Sequence, residues 1–216
     1  MINHPLGEVI DLKQKATALR DRQRYDAALR ILDEAVGRLE SMRSNATDDL
    51  QLQSMIRAEL ADAHGMKGGV FRRMDNLASA LDEYSQGLAI EGADGQGTYN
   101  LSNHITLSLT LGRERLASGA MQERIERLLD RLKRQTDGAR RDDWWAWADL
   151  AQFLLLKGDI GSAFEAYQRG RSIGASAEDM QRSLEVLAEL GRALQSDEPE
   201  LARRIADFSE RMRGAL

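Results

Sequence analysis

Residues 144–170 read WWAWADLAQFLLLKGDIGSAFEAYQRG, and the fold is decided there. Trp147, Leu150, Ala151 and Leu154 recur at the three- and four-residue spacing of one helix face. Gly158-Asp159 breaks the pattern, and Ala163, Tyr167 and Gly170 resume it on a second helix. Two further stretches carry the same order. His64, Gly68 and Phe71 are followed by Ala80, Tyr84 and Gly87, and Leu12, Ala16 and Leu19 by Ala28, Leu32 and Ala35. The first position precedes the alanine by 16 residues each time (12 to 28, 64 to 80, 147 to 163). Such regularity predicts three helical hairpins of one design.

Composition points the same way. The chain has 216 residues, 5% aromatics, no cysteine, and proline only at Pro5 and Pro199. Alanine, leucine, arginine and glutamate are common, and they lose little rotamer freedom in a helix. The expected fold is therefore all-α. Without cysteine there are no disulfides, no thiol catalysis and no cysteine-zinc site. A net charge of −5 disfavours a dedicated nucleic-acid binder. Only Lys13, Lys15, Lys67, Lys133 and Lys157 among the 30 basic residues are lysine. Arginine dominance follows from genome composition or from an interface, where arginine is enriched and lysine depleted. The start, MINHPLGEVIDLKQK, lacks a basic-then-apolar leader pattern, and no apolar run approaches the roughly 20 residues of a membrane helix. A cytoplasmic location is the expectation.

The three hairpins resemble the tetratricopeptide repeat, W-x2-L-G-x2-Y followed by A-x3-F. The resemblance covers 9–42, 61–94 and 144–177. Lys15 and Lys67 depart from its leucine position, and no proline closes a repeat. It implies a tetratricopeptide-like bundle of about ten antiparallel helices, paired helices crossing closely at Ala28, Ala80 and Ala163, with a concave surface that holds a partner protein or peptide. A second resemblance rests on Tyr99, Asn103, Trp144, Trp147, Gly158 and Asp159. They are similar to the TRAF-binding helical region of mitogen-activated protein kinase kinase kinases and its bacterial relatives, which implies a regulatory scaffold in signalling.

One domain, 1–216, is expected. Helices are predicted at about 6–22, 26–42, 49–73, 76–91, 98–118, 120–136, 143–157, 160–173 and 177–194, with a last one from Pro199. The segment at 98–136, with Gly119 between its helices, fits the repeat poorly and reads as a divergent hairpin. The pair at 177–214 closes the chain. Polar breaks at Ser44–Asp49 and Glu91–Gly97 separate the first hairpins.

By the geometry that the repeat resemblance implies, the inner surface carries Lys13, Thr17, Arg20 and Asp21, then Asp62, Gly69, Arg72 and Arg73, then Trp145, Ala148 and Gln152. Lys13, Arg20, Arg72 and Arg73 would suit an acidic peptide or a carboxylate terminus. The plainer alternative is a solvated face of local ion pairs. Trp147 fills the repeat position and reads as core. Trp145 lies about 100° around the helix from Trp144 and is the candidate anchor. Asn100 and Asn103, on a largely apolar helix, bond either a neighbouring loop or a peptide backbone. His64-Gly65-Met66-Lys67-Gly68-Gly69 lacks phosphate-loop spacing and reads as close helix packing. His4, His64 and His104 are too scattered for a metal. No catalytic motif occurs, and no cofactor is implied. The favoured function is a non-catalytic adaptor. A nucleic-acid or nucleotide sensor using Arg127, Arg131, Arg134, Arg140 and Arg141 is the alternative, disfavoured by acidity and by the lack of interleaved aromatics.

Overall fold

The computed structural model describes residues 5–46, 49–92 and 95–214. Helix makes up 80% of them, and no strand occurs among them. The helices are α1 (Gly7–Asp21), α2 (Tyr25–Asn45), α3 (Leu50–Arg73), α4 (Leu77–Glu91), α5 (Tyr99–Thr110), α6 (Gly119–Asp137), α7 (Trp144–Leu156), α8 (Ile160–Ser172), α9 (Ala177–Leu194) and α10 (Pro199–Arg213). Thr47, Asp48, Ala93 and Asp94 of the expected breaks lie outside the described residues, as does His4. The chain divides into two compact units, Met1–His104 and Ile105–Leu216.

One turn recurs in the three predicted hairpins. Gln23, Asp75 and Gly158 hold positive φ at 58°, 58° and 78°. The next backbone N–H reaches back to close the helix: Arg24 to Leu19 O at 2.9 Å, Asn76 to Phe71 O at 2.9 Å and Asp159 to Leu154 O at 3.0 Å. This is the Schellman ending, which satisfies carbonyls that a helix terminus leaves open. Its acceptors are the same repeat position in each hairpin. The following helix starts at once. Asn76 and Asp159 cap it by accepting from Ser79 N at 3.2 Å and Ser162 N at 3.1 Å, whereas Arg24 has no such oxygen.

The hairpin at 98–136 departs from expectation. Helix α5 stops at Thr110 rather than near 118. Gly112, at φ 62°, makes the same ending, with Arg113 N bonded to Ser108 O at 2.9 Å. Here the next helix is delayed. Residues 113–118 intervene before Ser118 accepts from Met121 N at 3.3 Å and starts α6, so Gly119 is its first residue and not the linker. The predicted start signals of the last pair hold: Ser176 accepts from Asp179 N at 3.0 Å, and Pro199 sits in the first turn of α10.

Each unit has its own core. In the first, Ala16, Ala28, Leu32 and Val70 form one cluster, and Leu39, Ile56, Leu60 and Ala63 belong to another. In the second, Phe153, Leu155, Ala163, Leu184, Leu190 and Ile205 are fully enclosed. All three crossing alanines have zero exposure, as the repeat resemblance implies. Glycines mark the tightest approaches. A Cβ on Gly68 would lie 2.7 Å from the Tyr84 ring, and one on Gly170 would lie 2.7 Å from Trp144. Among the described residues no helix is long and apolar enough to cross a membrane.

Candidate functional site

The inner-surface residues of the first unit are tied to one another. The Lys13 ammonium pairs with Glu59 at 2.5 Å and with Asp62, joining α1 to α3. Burial alone would lower the Lys13 pKa; Asp62 and Glu59 outweigh it, and the net shift is upward. Arg20 bonds its neighbour Asp21 at 2.9 Å. Arg72 donates to Asn103 Oδ1 at 2.8 Å, and Asn103 in turn donates to Tyr99 O at 2.9 Å. Arg73 is exposed at the end of α3. Asn100 is 2% exposed and donates to Ala61 O at 3.0 Å and to Glu91 at 2.8 Å. Its amide fits between two helices because Gly65 and Gly87 leave room. A Cβ there would come within 2.7 Å and 2.5 Å of it. The packing reading of the glycine-rich stretch in α3 therefore holds: Gly65, Gly68 and Gly69 receive Asn100, Tyr84 and Tyr99.

Beneath that surface lies a network that the sequence reading missed. His64 Nδ1 is 2.7 Å from Glu83 Oε2, Lys67 is 2.7 Å from Glu83 Oε1, and Lys67 also reaches Asp33 at 2.9 Å. Glu83 is only 8% exposed. Burial would raise its pKa; His64 and Lys67 reverse that and hold it below the usual value. Lys67 is raised for the complementary reason, with Glu83 and Asp33 overcoming burial. The available signal was spacing: His64 and Lys67 share a helix face, and Glu83 adjoins the inward Tyr84.

In the second unit, Trp145 is 41% exposed, with its ring tilted against Trp144 at 6.3 Å. Asp143 caps the helix beneath it, accepting from Trp145 N at 2.9 Å. Gln152 is 8% exposed, and its amide donates to Thr106 at 2.6 Å. Ala148 is also buried. Trp147 differs from expectation. Its backbone sits at the crossing, but its indole turns outward to donate to Arg141 O at 2.8 Å, and it is only half-buried. Trp144 is the enclosed ring, edge-on to Tyr167 at 5.0 Å, which is edge-on to Phe208 at 5.8 Å. Burial pushes the Tyr167 phenol up to about 12. Of the arginines of the alternative reading, Arg127 and Arg134 are exposed on α6, and Arg131 is half-buried there. Arg140 bonds Asp143 and Gln135 at 2.8 and 3.0 Å, and Arg141 lies 3.9 Å from Asp142.

Each unit offers a helical surface with internally bonded polar groups and a few exposed aromatic or basic side chains. No family model matches the chain, and no curated protein matches it. Among solved structures it is similar to a Podosopora anserina protein described as a kinesin light chain with nearly identical TPR-like repeats. The two share 16% identity at a TM-score of 0.46, over 99% of this chain and 98% of that one.

Proposed function

We propose that this protein is a non-catalytic interaction scaffold, a regulatory adaptor that holds a partner protein or peptide on the first helices of its hairpins. Repeat hairpins bury small residues at their crossings and present whole helix faces for recognition. The observation that carries the reading is Trp145, a large aromatic left 41% exposed beside an enclosed Trp144. Tryptophan, tyrosine and arginine dominate interface energetics when a partner covers them. Arg73 on the first unit and Trp145 on the second are the direct contacts in this reading, each on its own unit. Lys13, Arg20, Arg72, Asn100 and Asn103 shape the surface of the first unit, and Gln152 that of the second, through the bonds described above. The likeness to the TRAF-binding region gives the adaptor a signalling role, and a cytoplasmic setting suits it.

A photo-crosslinking amino acid at position 145, in the native host, tests the proposal. A discrete protein adduct, absent when the probe sits at exposed Glu123 on α6, is the expected result. No adduct at 145, or adducts chiefly to nucleic acid, would remove the reading.

A further inference from the structure

The ends of α1 and α3 meet at one edge of the first unit. Lys13 pairs with Glu59 and Asp62, and further along the two helices Ala16 and Leu19 pack with Met66 and Val70. The helices therefore run parallel, and Arg20, Arg22 and Arg24 arrive at the same edge as Arg72 and Arg73. The sequence at these two helix ends supplies five arginines and three acids, Asp21, Asp26 and Asp75, in a chain of net charge −5. Asp21 is held by Arg20. Arg22 and Arg24 are exposed and make no ion pair among the described residues. Basic side chains at a helix C-terminus interact favourably with its dipole, which accounts for one or two of them but not for the set.

The same edge keeps apolar surface open. Among the described residues the exposed large hydrophobics are Leu50, Met74, Tyr99 and Trp145, and two of these four belong here. Met74 follows Arg73 at 38% exposure. Tyr99, 47% exposed, lies over Gly69, its hydroxyl 3.0 Å from where a Cβ would stand, and its ring meets Tyr84 edge-on at 5.9 Å. Arg72 is fixed by Asn103. The aromatic and the guanidinium are thus ordered before any partner arrives, which lowers the entropy cost of binding.

We propose that this edge docks an acidic protein segment bearing an apolar side chain. The arginines pair with its carboxylates, and Tyr99 and Met74 receive its apolar group. The inference rests on the interaction reading above and names the partner's chemistry. A nucleic acid fits less well, because its evenly spaced phosphates would have to cross Asp21, Asp26 and Asp75, whereas a peptide sets its acids between them.

The probe is a short fluorescein-labelled peptide of alternating glutamate and leucine with a central phenylalanine, followed by anisotropy. Saturable binding is expected. The triple variant Arg22→Gln, Arg24→Gln and Arg73→Gln should weaken it at least about tenfold. Met74→Ser should weaken it at least about threefold with every charge in place. Circular dichroism checks each variant; if the triple one loses helicity, Arg22→Gln with Arg24→Gln carries the same test at two exposed positions. Absent or unsaturable binding, unchanged affinity in these variants, equal binding of a glutamine-for-glutamate peptide, or tighter binding of a labelled oligothymidylate would each overturn the proposal. A chain that crosslinks a protein through position 145 yet ignores the acidic peptide keeps the adaptor function and loses this edge.

Discussion

The hairpins α3–α4 and α7–α8 share a frame and differ in what fills it. Both end their first helix in the same left-handed turn, cap the second from the next residue, and cross at an alanine with no exposure. Position for position, however, His64, Lys67 and Glu83 of the first stand where Trp147, Leu150 and Ala166 stand in the second. One interior is laced with charge, and the other is apolar and aromatic. Even the ring that meets the core tyrosine has a different origin: Tyr99 comes from α5, while Trp144 belongs to α7 itself. The difference teaches that turn and crossing specify the hairpin, while the filling is free provided it is complete. A buried ion pair with all partners present is tolerated, and a half-removed one is not.

Breaking that completeness should give the largest effect. Glu83→Ala leaves His64 and Lys67 without their shared acid and is expected to cost about 3–5 kcal/mol. Adding Lys67→Leu, which installs the leucine–alanine pair of α7–α8, should recover most of the loss. Urea denaturation of the single and double variants decides it, and equal losses would mean that the two interiors are not interchangeable. The same network sets a pH dependence. Because the Glu83 pKa is held below its ordinary 4.5, its contribution is present above that value and lost as pH falls through the folded pKa. Lys67, raised above 10.5, contributes fully below that value and loses its contribution as pH climbs through its higher folded pKa. Hydrogen exchange should show α3–α4 opening in acid before α7–α8; simultaneous opening would contradict this.

The crossings come next. Ala163→Leu and Gly170→Val should each cost about 1–3 kcal/mol by forcing α7 and α8 apart, read as a lower melting temperature. An unchanged transition would mean the repeat register is wrong there. Turn substitutions are smaller. Asp159→Ala should cost about 1 kcal/mol through the lost cap. Asp75→Gly should stabilise α3–α4 by up to about 1 kcal/mol, since aspartate holds a left-handed conformation that glycine adopts freely. Chemical denaturation of the pair tests whether the two turns are equivalent. Last, Arg73→Glu should change stability by no more than about 0.5 kcal/mol while weakening partner capture. Arg72→Glu should cost about 1–3 kcal/mol by stranding Asn103. If the two variants melted alike, Arg72 would not be part of the frame.

Much of this frame was legible in the sequence. Ten helices were expected and ten occur among the described residues, and most ends agree closely, because caps and turn residues are local signals. The failure at α5 has a local cause too. Residues 113–117, Arg-Glu-Arg-Leu-Ala, are good helix formers and hid the stop that Gly112 imposes. Side-chain direction was harder to read. Trp144 and Trp147 lie nearly on one face, but the Trp147 indole bonds the Arg141 carbonyl while Trp144 packs beside Gly170 and Tyr167. The candidate surface was the least legible. Lys13 and Gln152 look like free polar groups until Glu59 and Thr106, distant in sequence, come within bonding distance, and Asn100, expected to bond a loop or a peptide, bonds Ala61 O and Glu91. For His64, Lys67 and Glu83 the shared helix face was legible, but the pairing across helices was not.

Asn100 has a consequence for how this sequence could drift. Its amide occupies the gap that Gly65 and Gly87 leave, and its length reaches both Ala61 O and Glu91. No one of the three positions can change size alone: a methyl at either glycine collides with the amide, and a shorter residue at 100 abandons two partners. In an alignment of relatives these positions should therefore be inherited as a block, small–small–amide or some compensated triple, while Arg22, Arg24 and Arg73 vary with the partner each lineage meets.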